Sequence, residues 1–141
     1  MQKFNIFYNT TPYLFVYGTL QKAFAHPLHR LLSRYAHYKG KAYLCGRLFE
    51  IDNYPGAIRT KSCKEKVYGE LYRLKYPSIV LPLLDRYEEC DPRFPKPHEY
   101  RRIITDLYTD SGKHLHAWTY LYNRPVHLKK KVPNGRYTPK T

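Results

Sequence analysis

Six short runs of this chain are dense in tyrosine and branched apolar residues, and only two stretches between them repeat with a helical period. Aromatic and β-branched side chains suit a pleated, half-buried surface, so the runs read as strands. They are 13–20 (YLFVYGTL), 41–51 (KAYLCGRLFEI), a short run closing 52–59 (DNYPGAIR), 66–74 (KVYGELYRL), 99–109 (EYRRIITDLYT) and 114–123 (HLHAWTYLYN). Gly46 and Gly69 fall inside two of them and predict bends there. The last two are joined by DSGK, a hairpin turn. In 25–38, Leu28, Leu31, Leu32 and Tyr35 repeat at helical spacing, with Pro27 near the first turn. In 76–88, Ile79, Leu83, Leu84 and Tyr87 share one side of a helix that Pro82 starts or interrupts and that ends near Glu88. Residues 90–98 hold three prolines and read as a loop. Strands and helices do not alternate in β-α-β order. The fold class is therefore α+β, with a mixed or antiparallel sheet curled towards a barrel.

At 141 residues the chain has the length of one domain, expected to span 1–141 with a basic tail at about 127–141. It holds no run of about 18 apolar residues, so no membrane span or membrane partner is expected. Met1 to Thr11 is polar and lacks the apolar core of a signal peptide, which points to the cytoplasm. Cys45, Cys63 and Cys90 are odd in number with no CxxC spacing, a pattern that suits reduced thiols. The net charge is +14, yet seven of the eleven acidic residues lie between Asp85 and Asp110. The tail HLKKKVPNGRYTPKT is a basic arm that would attract polyanions, or else a solvated terminus. No helix-turn-helix, zinc-finger or RNP pattern accompanies it, so nucleic acid is not expected as a partner. The sixteen tyrosines fall mostly within strand patterns, which assigns them to packing rather than to base stacking. Oligomeric state is left open.

Two places carry candidate chemistry. Tyr17-Gly18-Thr19-Leu20 closes the first strand. Gly18 permits an unusual φ and the close approach of a ligand, and a nest of amide N–H groups there suits a carboxylate or oxyanion. A plain strand-to-loop turn is the competing reading. The second place is LDRYEEC, residues 84–90, followed by Asp91. At a helix C-terminus, among other acids, a carboxyl is harder to ionise, and a raised pKa suits a general acid/base. A solvated acidic cluster is the competing reading. His114 and His116 alternate on one strand face, but no third ligand stands at a recognisable spacing, so no catalytic metal is expected. No GxSxG elbow is present for a serine triad.

FVYGTL, YPGAI, VYGELY, LDRYEE, YRR and AWTYLY follow one another in an order and at spacings that resemble the γ-glutamylcyclotransferase-like family, in particular its γ-glutamylamine cyclotransferase (AIG2-like) branch. The resemblance runs from about Tyr13 to Arg136. It implies a small mixed β-barrel flanked by short helices. It also implies an enzyme that cyclises the γ-glutamyl group of a small-molecule substrate to 5-oxoproline and releases the amine, without metal or cofactor. Carried onto this sequence, the family's catalytic glutamate falls at Glu88. Its substrate-binding turn falls at Tyr17, Gly18, Thr19 and Leu20, with Tyr100 lining the same pocket. Many relatives have glycine after the glutamate, whereas Glu89 follows here. The loop 91–98 would join the pocket mouth, its Arg93, Lys96 and His98 facing an anionic substrate tail or water. A catalytically silent module that binds a small carboxylate on the same fold is the alternative.

Overall fold

The computed structural model describes residues 11–24, 26–90 and 93–139. The polar N-terminal segment up to residue 10, and Asp91 of the acidic run, lie outside the described residues. Strand β1 (Tyr13–Val16) is followed by a 3-10 turn (Lys22–Phe24) and helix α1 (Pro27–Tyr35). Then come β2 (Ala36–Glu50), β3 (Pro55–Arg59), β4 (Lys66–Leu74) and helix α2 (Pro77–Tyr87). Strands β5 (Tyr100–Thr109), β6 (His114–Tyr122) and β7 (Lys130–Lys131) complete the described chain.

Five strands close on themselves in the order β2-β4-β1-β6-β5, and β5 returns to β2 through Ala42↔Thr109 and Tyr43↔Tyr108. All neighbours are antiparallel except β1 and β6, which run parallel at Leu14↔Trp118. The result is a closed mixed barrel with two short helices, the α+β class that the sequence predicts. Closure removes the sheet edges that would otherwise stay unpaired. Strands β3 and β7 both pair with the far half of β2.

Each strand divides its side chains between two cores because neighbours point to opposite faces. In β1, Phe15 faces the barrel interior with Leu44, Leu48, Val67, Leu71 and Leu107. Leu14 and Val16 face outward onto Leu32 of α1 and Val80, Leu81 and Leu84 of α2. The two interior hydroxyls, Thr105 and Thr119, hydrogen-bond each other at 2.8 Å, which satisfies polar groups that water does not reach.

Gly46 and Gly69 mark close approach, and at Gly46 strand β2 passes from its pairing with β4 to its pairing with β3. A Cβ on Gly69 would stand 2.2 Å from the Val16 carbonyl oxygen, and one on Gly46 2.1 Å from that of Ile58. The bulge that curves β2 lies earlier, between Tyr38 and Gly40, where Gly40 has φ +111°. Helix α1 is capped by His26, whose Nδ1 accepts from the Leu28 N–H at 3.1 Å. Helix α2 starts at Pro77 and runs through Pro82.

Three expectations need correction. Helix α2 buries Val80, Leu81 and Leu84, while Ile79, Leu83 and Tyr87 are exposed. The segment IVLPLL is apolar on nearly every side, so its periodicity does not select the inward face. Cys45 and Cys63 are paired as a disulfide, Cα–Cα 4.7 Å, and Cys90 is the free cysteine. Cys63 lies in the β3–β4 loop, which is held against Cys45 by the Thr60 N–H to Cys45 carbonyl and Gly46 N–H to Glu65 carbonyl bonds, not by a short motif, and the pair withdraws the thiol argument for a reducing compartment. The basic tail is anchored on the barrel at Gly135 and Tyr137, while most of its other described side chains, Lys130, Lys131 and Arg136 among them, are exposed to solvent. Tyr137 is buried, stacks on Phe24 and donates to Glu50. The Tyr68 N–H donates to the Gly135 carbonyl at 2.8 Å. No helix among the described residues is long and apolar enough to cross a membrane.

Candidate active site

A cavity of about 290 Å³ opens where β1 runs into its turn, beside the C-terminal end of α2 and the starts of β3 and β5. Val16, Tyr17, Gly18, Thr19 and Leu20 form one wall, and Glu88, Glu89, Glu99, Tyr100 and Tyr120 lie on others. All six positions singled out from the sequence therefore border one space.

Glu88 gets there through the face that α2 buries. Residues 81, 84 and 88 follow one another at i, i+3 and i+7, so a helix that packs Leu81 and Leu84 inward turns residue 88 inward too. Glu88 thus occupies a place where an apolar side chain would ordinarily sit. Its N–H closes the last helical turn onto the Leu84 carbonyl at 2.9 Å. The residue touches the open cavity, while protein encloses its carboxyl. Among the described residues no side-chain hydrogen bond reaches that carboxyl. Burial pushes its pKa from the ordinary 4.5 up to about 8, and the charges of Glu99, Asp85 and Glu89 add to the effect in that order. The leading neighbour is Glu99, from the segment entering β5, rather than the acids adjacent in sequence.

Glu89 borders the cavity too, but is exposed rather than enclosed. Its φ of +56° puts it in the left-handed region and leaves it exposed. The position after Glu88 is thus one that glycine adopts at less cost.

The turn 17–20 is held from behind by Gln21. Its side-chain Nε2 donates to the carbonyls of Tyr17 (2.9 Å), Gly18 (3.1 Å) and Tyr137 (3.2 Å), and its N–H donates to the Gly18 carbonyl at 3.1 Å. Among the described residues nothing accepts from the amide N–H groups of Gly18, Thr19 or Leu20. Gly18 does not adopt a positive φ, contrary to the sequence reading. It is needed because a Cβ would stand 2.9 Å from Cγ of Pro55 on the adjoining wall.

The phenols are structural wedges. Tyr17 donates its hydroxyl to the Tyr120 carbonyl at 2.6 Å and accepts from the Ala57 N–H at 3.1 Å. Tyr100 donates to the Pro55 carbonyl at 2.5 Å. Burial raises both phenol pKa values well above the ordinary range, so both remain neutral. Tyr54 donates to Glu99 and completes the mouth.

Asp85, one turn before Glu88, has a different environment. It accepts from Arg102 Nε at 2.7 Å and Nη2 at 3.0 Å, and from the Tyr120 hydroxyl at 2.6 Å. The Arg102 guanidinium lies 4.3 Å from the centroid of the Trp118 ring. Asp85 and Arg102 stand in LDRYEE and YRR, but their pairing is invisible in the sequence because it joins a helix to a strand 17 residues away. Glu99, Tyr54 and Pro55 had no sequence signal as cavity residues. Arg93, Lys96 and His98 do not line the cavity. Burial, then Asp85 and Glu88, push the Cys90 thiol up to about 12, away from the thiolate form that a nucleophile needs.

The family model described as "Gamma-glutamyl cyclotransferase, AIG2-like" matches residues 14–139. The chain belongs to that family. It is 31% identical over 126 residues to the γ-L-glutamyl-butirosin B γ-glutamyl cyclotransferase of Niallia circulans, covering 89% of this chain and 76% of that one. Among solved structures, an AIG2-like protein of Mus musculus superposes with TM-score 0.64 at 24% identity, over 92% of this chain and 96% of that one. YkqA of Bacillus subtilis superposes with TM-score 0.67 at 24% identity, over 91% of this chain, which spans 40% of YkqA. These likenesses establish the γ-glutamyl cyclotransferase-like fold, and the family supports activity of the cyclotransferase type.

Proposed function

We propose that this protein cyclises the γ-glutamyl group of a γ-glutamyl amine or peptide to 5-oxoproline, with Glu88 as the general acid/base. The observation that carries the reading is an enclosed carboxyl, free of side-chain hydrogen bonds among the described residues, facing the same cavity as the amide turn 17–20. In the reaction the substrate's α-amine attacks its own γ-carbonyl carbon. A C–N bond closes the five-membered lactam, and the C–N bond to the leaving amine breaks. The attacking ammonium must first lose a proton, and the leaving nitrogen must gain one. Glu88 takes the first proton and delivers it to the second site, so acid and base balance within one turnover. A carboxyl with its pKa near 8 exchanges protons readily in both directions near neutrality. Such help contributes about 10²–10⁴-fold. The turn's N–H groups hold the glutamyl end and fold it towards closure, and such positioning contributes up to about 7–11 kcal/mol in favourable systems.

Glu88, Glu89 and Glu99 line the cavity, and no lysine or arginine does so among the described residues. That balance favours a leaving amine that carries positive charge over one that carries a carboxylate. The test is a panel of γ-glutamyl-ε-lysine, γ-glutamyl-putrescine, γ-glutamyl-alanine and glutathione, assayed for 5-oxoproline. Product from at least one substrate, abolished by Glu88→Gln in a protein of unchanged circular dichroism, is the expected result. Ligand-induced thermal shifts without product would instead favour the silent binding module. Loss of activity in Glu89→Gln but not in Glu88→Gln would move the role by one residue.

A further inference from the structure

His114 and His116 lacked a third ligand in the sequence, and the β5–β6 hairpin supplies one. Residues two apart on a strand point to the same face, so the two imidazoles sit side by side on β6. Across the ladder, Asp106 is in register with His116, and Tyr108 with His114. The Nε2 atoms of both histidines stand 2.9 Å from one Asp106 Oδ1, and the three donor atoms lie within 4.8 Å of one another. The imidazole rings are steeply inclined, at 74° with centroids 5.4 Å apart, and both Nε2 atoms face the same carboxylate oxygen. Supports behind the cluster limit its freedom. The Tyr108 ring stacks on His114 at 5.1 Å, and the Thr11 hydroxyl donates to the His116 carbonyl at 2.9 Å. All three side chains reach solvent, so a hydrated ion has a path in and water can fill the remaining positions.

We propose that Asp106, His114 and His116 form a surface site for one divalent transition-metal ion of the zinc, cobalt or nickel type. Two imidazoles and a carboxylate match the ligand preferences of these ions, whereas calcium and magnesium favour all-oxygen sites. On binding, each imidazole presents Nε2 to the metal and carries its proton on Nδ1. The site is distinct from the cavity. Asp106 lies six residues along β5 from Tyr100, about 20 Å at the usual strand rise. The bound ion ties the two strands together next to the hairpin's turn and takes no part in the cyclisation.

Titration of the whole protein with Co²⁺, followed by its visible d–d absorption, tests this directly. The expected result is saturable binding at one equivalent in the micromolar range, with a rise in Tm on adding Zn²⁺. Asp106→Asn should bind at least tenfold more weakly, and the double variant His114→Ala/His116→Ala should lose both the absorption and the Tm rise. These exposed substitutions leave the core untouched, and far-UV circular dichroism confirms the fold. Absence of saturable Co²⁺ binding by the wild type would overturn the proposal. So would binding that survives unchanged in the double variant, since the ion would then sit elsewhere.

Discussion

Asp85 and Glu88 stand one turn apart at the end of α2, and the protein treats the two acids in opposite ways. Asp85 receives a bidentate arginine and a tyrosine hydroxyl, which compensate the loss of water around its charge. Glu88 receives no side-chain hydrogen bond from the described residues and has three carboxylates among its neighbours. Position on the helix does not explain the difference, because both residues stand at the same C-terminal end of α2. Partners do: Arg102 and Tyr120 reach one acid from β5 and β6, while the other opens onto a cavity. A paired acid holds structure together. An unpaired, enclosed one costs stability and gains a proton affinity that chemistry near neutral pH can use.

The sharpest way to break this contrast is to remove each acid in turn. Glu88→Gln should lower the rate of 5-oxoproline formation by about 10²–10⁴-fold, measured by product chromatography at saturating substrate. A variant that keeps more than a tenth of the wild-type rate would put Glu88 outside the chemistry. Asp85→Ala should act on stability instead. It strands a guanidinium whose side chain is 21% exposed, and the loss should be about 2–4 kcal/mol in urea unfolding. A change under about 0.5 kcal/mol would mean that solvent already carries the Arg102 charge.

The same pair should respond differently to pH. Unfolded, Glu88 releases its proton near 4.5, and folded, near 8. Between those values the folded protein holds the extra proton, so stability from this group is greatest below 4.5, falls as pH rises, and levels off above 8. Glu88→Gln removes that slope. The variant should therefore be more stable than wild type by on the order of 1–3 kcal/mol at pH 8, with the gap closing towards pH 4.5. Equal Tm values at pH 8 would show that the carboxyl is better solvated than its enclosure implies. The smallest effect concerns the neighbour. Glu89→Gly should stabilise by about 0.5–1 kcal/mol, because glycine accepts the left-handed φ without strain. Destabilisation would show that the Glu89 side chain makes a contact that offsets its backbone.

Most of the strands and both helices were legible because they rest on local patterns: alternation, helical spacing, prolines at helix starts and the DSGK turn. The first miss of consequence was the inward face of α2. IVLPLL offered several apolar stripes, and the stripe through Ile79, Leu83 and Tyr87 is the exposed one. With Leu81 and Leu84 inward, residue 88 follows on the same face. The second miss was the onset of β2. The residues AHYKG continue the chain straight from α1 into a strand, although their composition carries no strand signal. Pairing with Arg73 and Leu74 of β4 supplies the order that local propensity lacks.

The sequence by itself determined six of the strands, both α-helices, the barrel class and the motifs of the γ-glutamyl cyclotransferase family, since each depends on residues close along the chain. Only the tertiary structure decided that Asp85 is neutralised by Arg102, that Glu99 presses on Glu88, that Cys45 meets Cys63, and that Asp106 joins two histidines. Those meetings are set by strand register and by closure of the barrel. Both bring together side chains far apart in the sequence, and neither leaves a local trace in it.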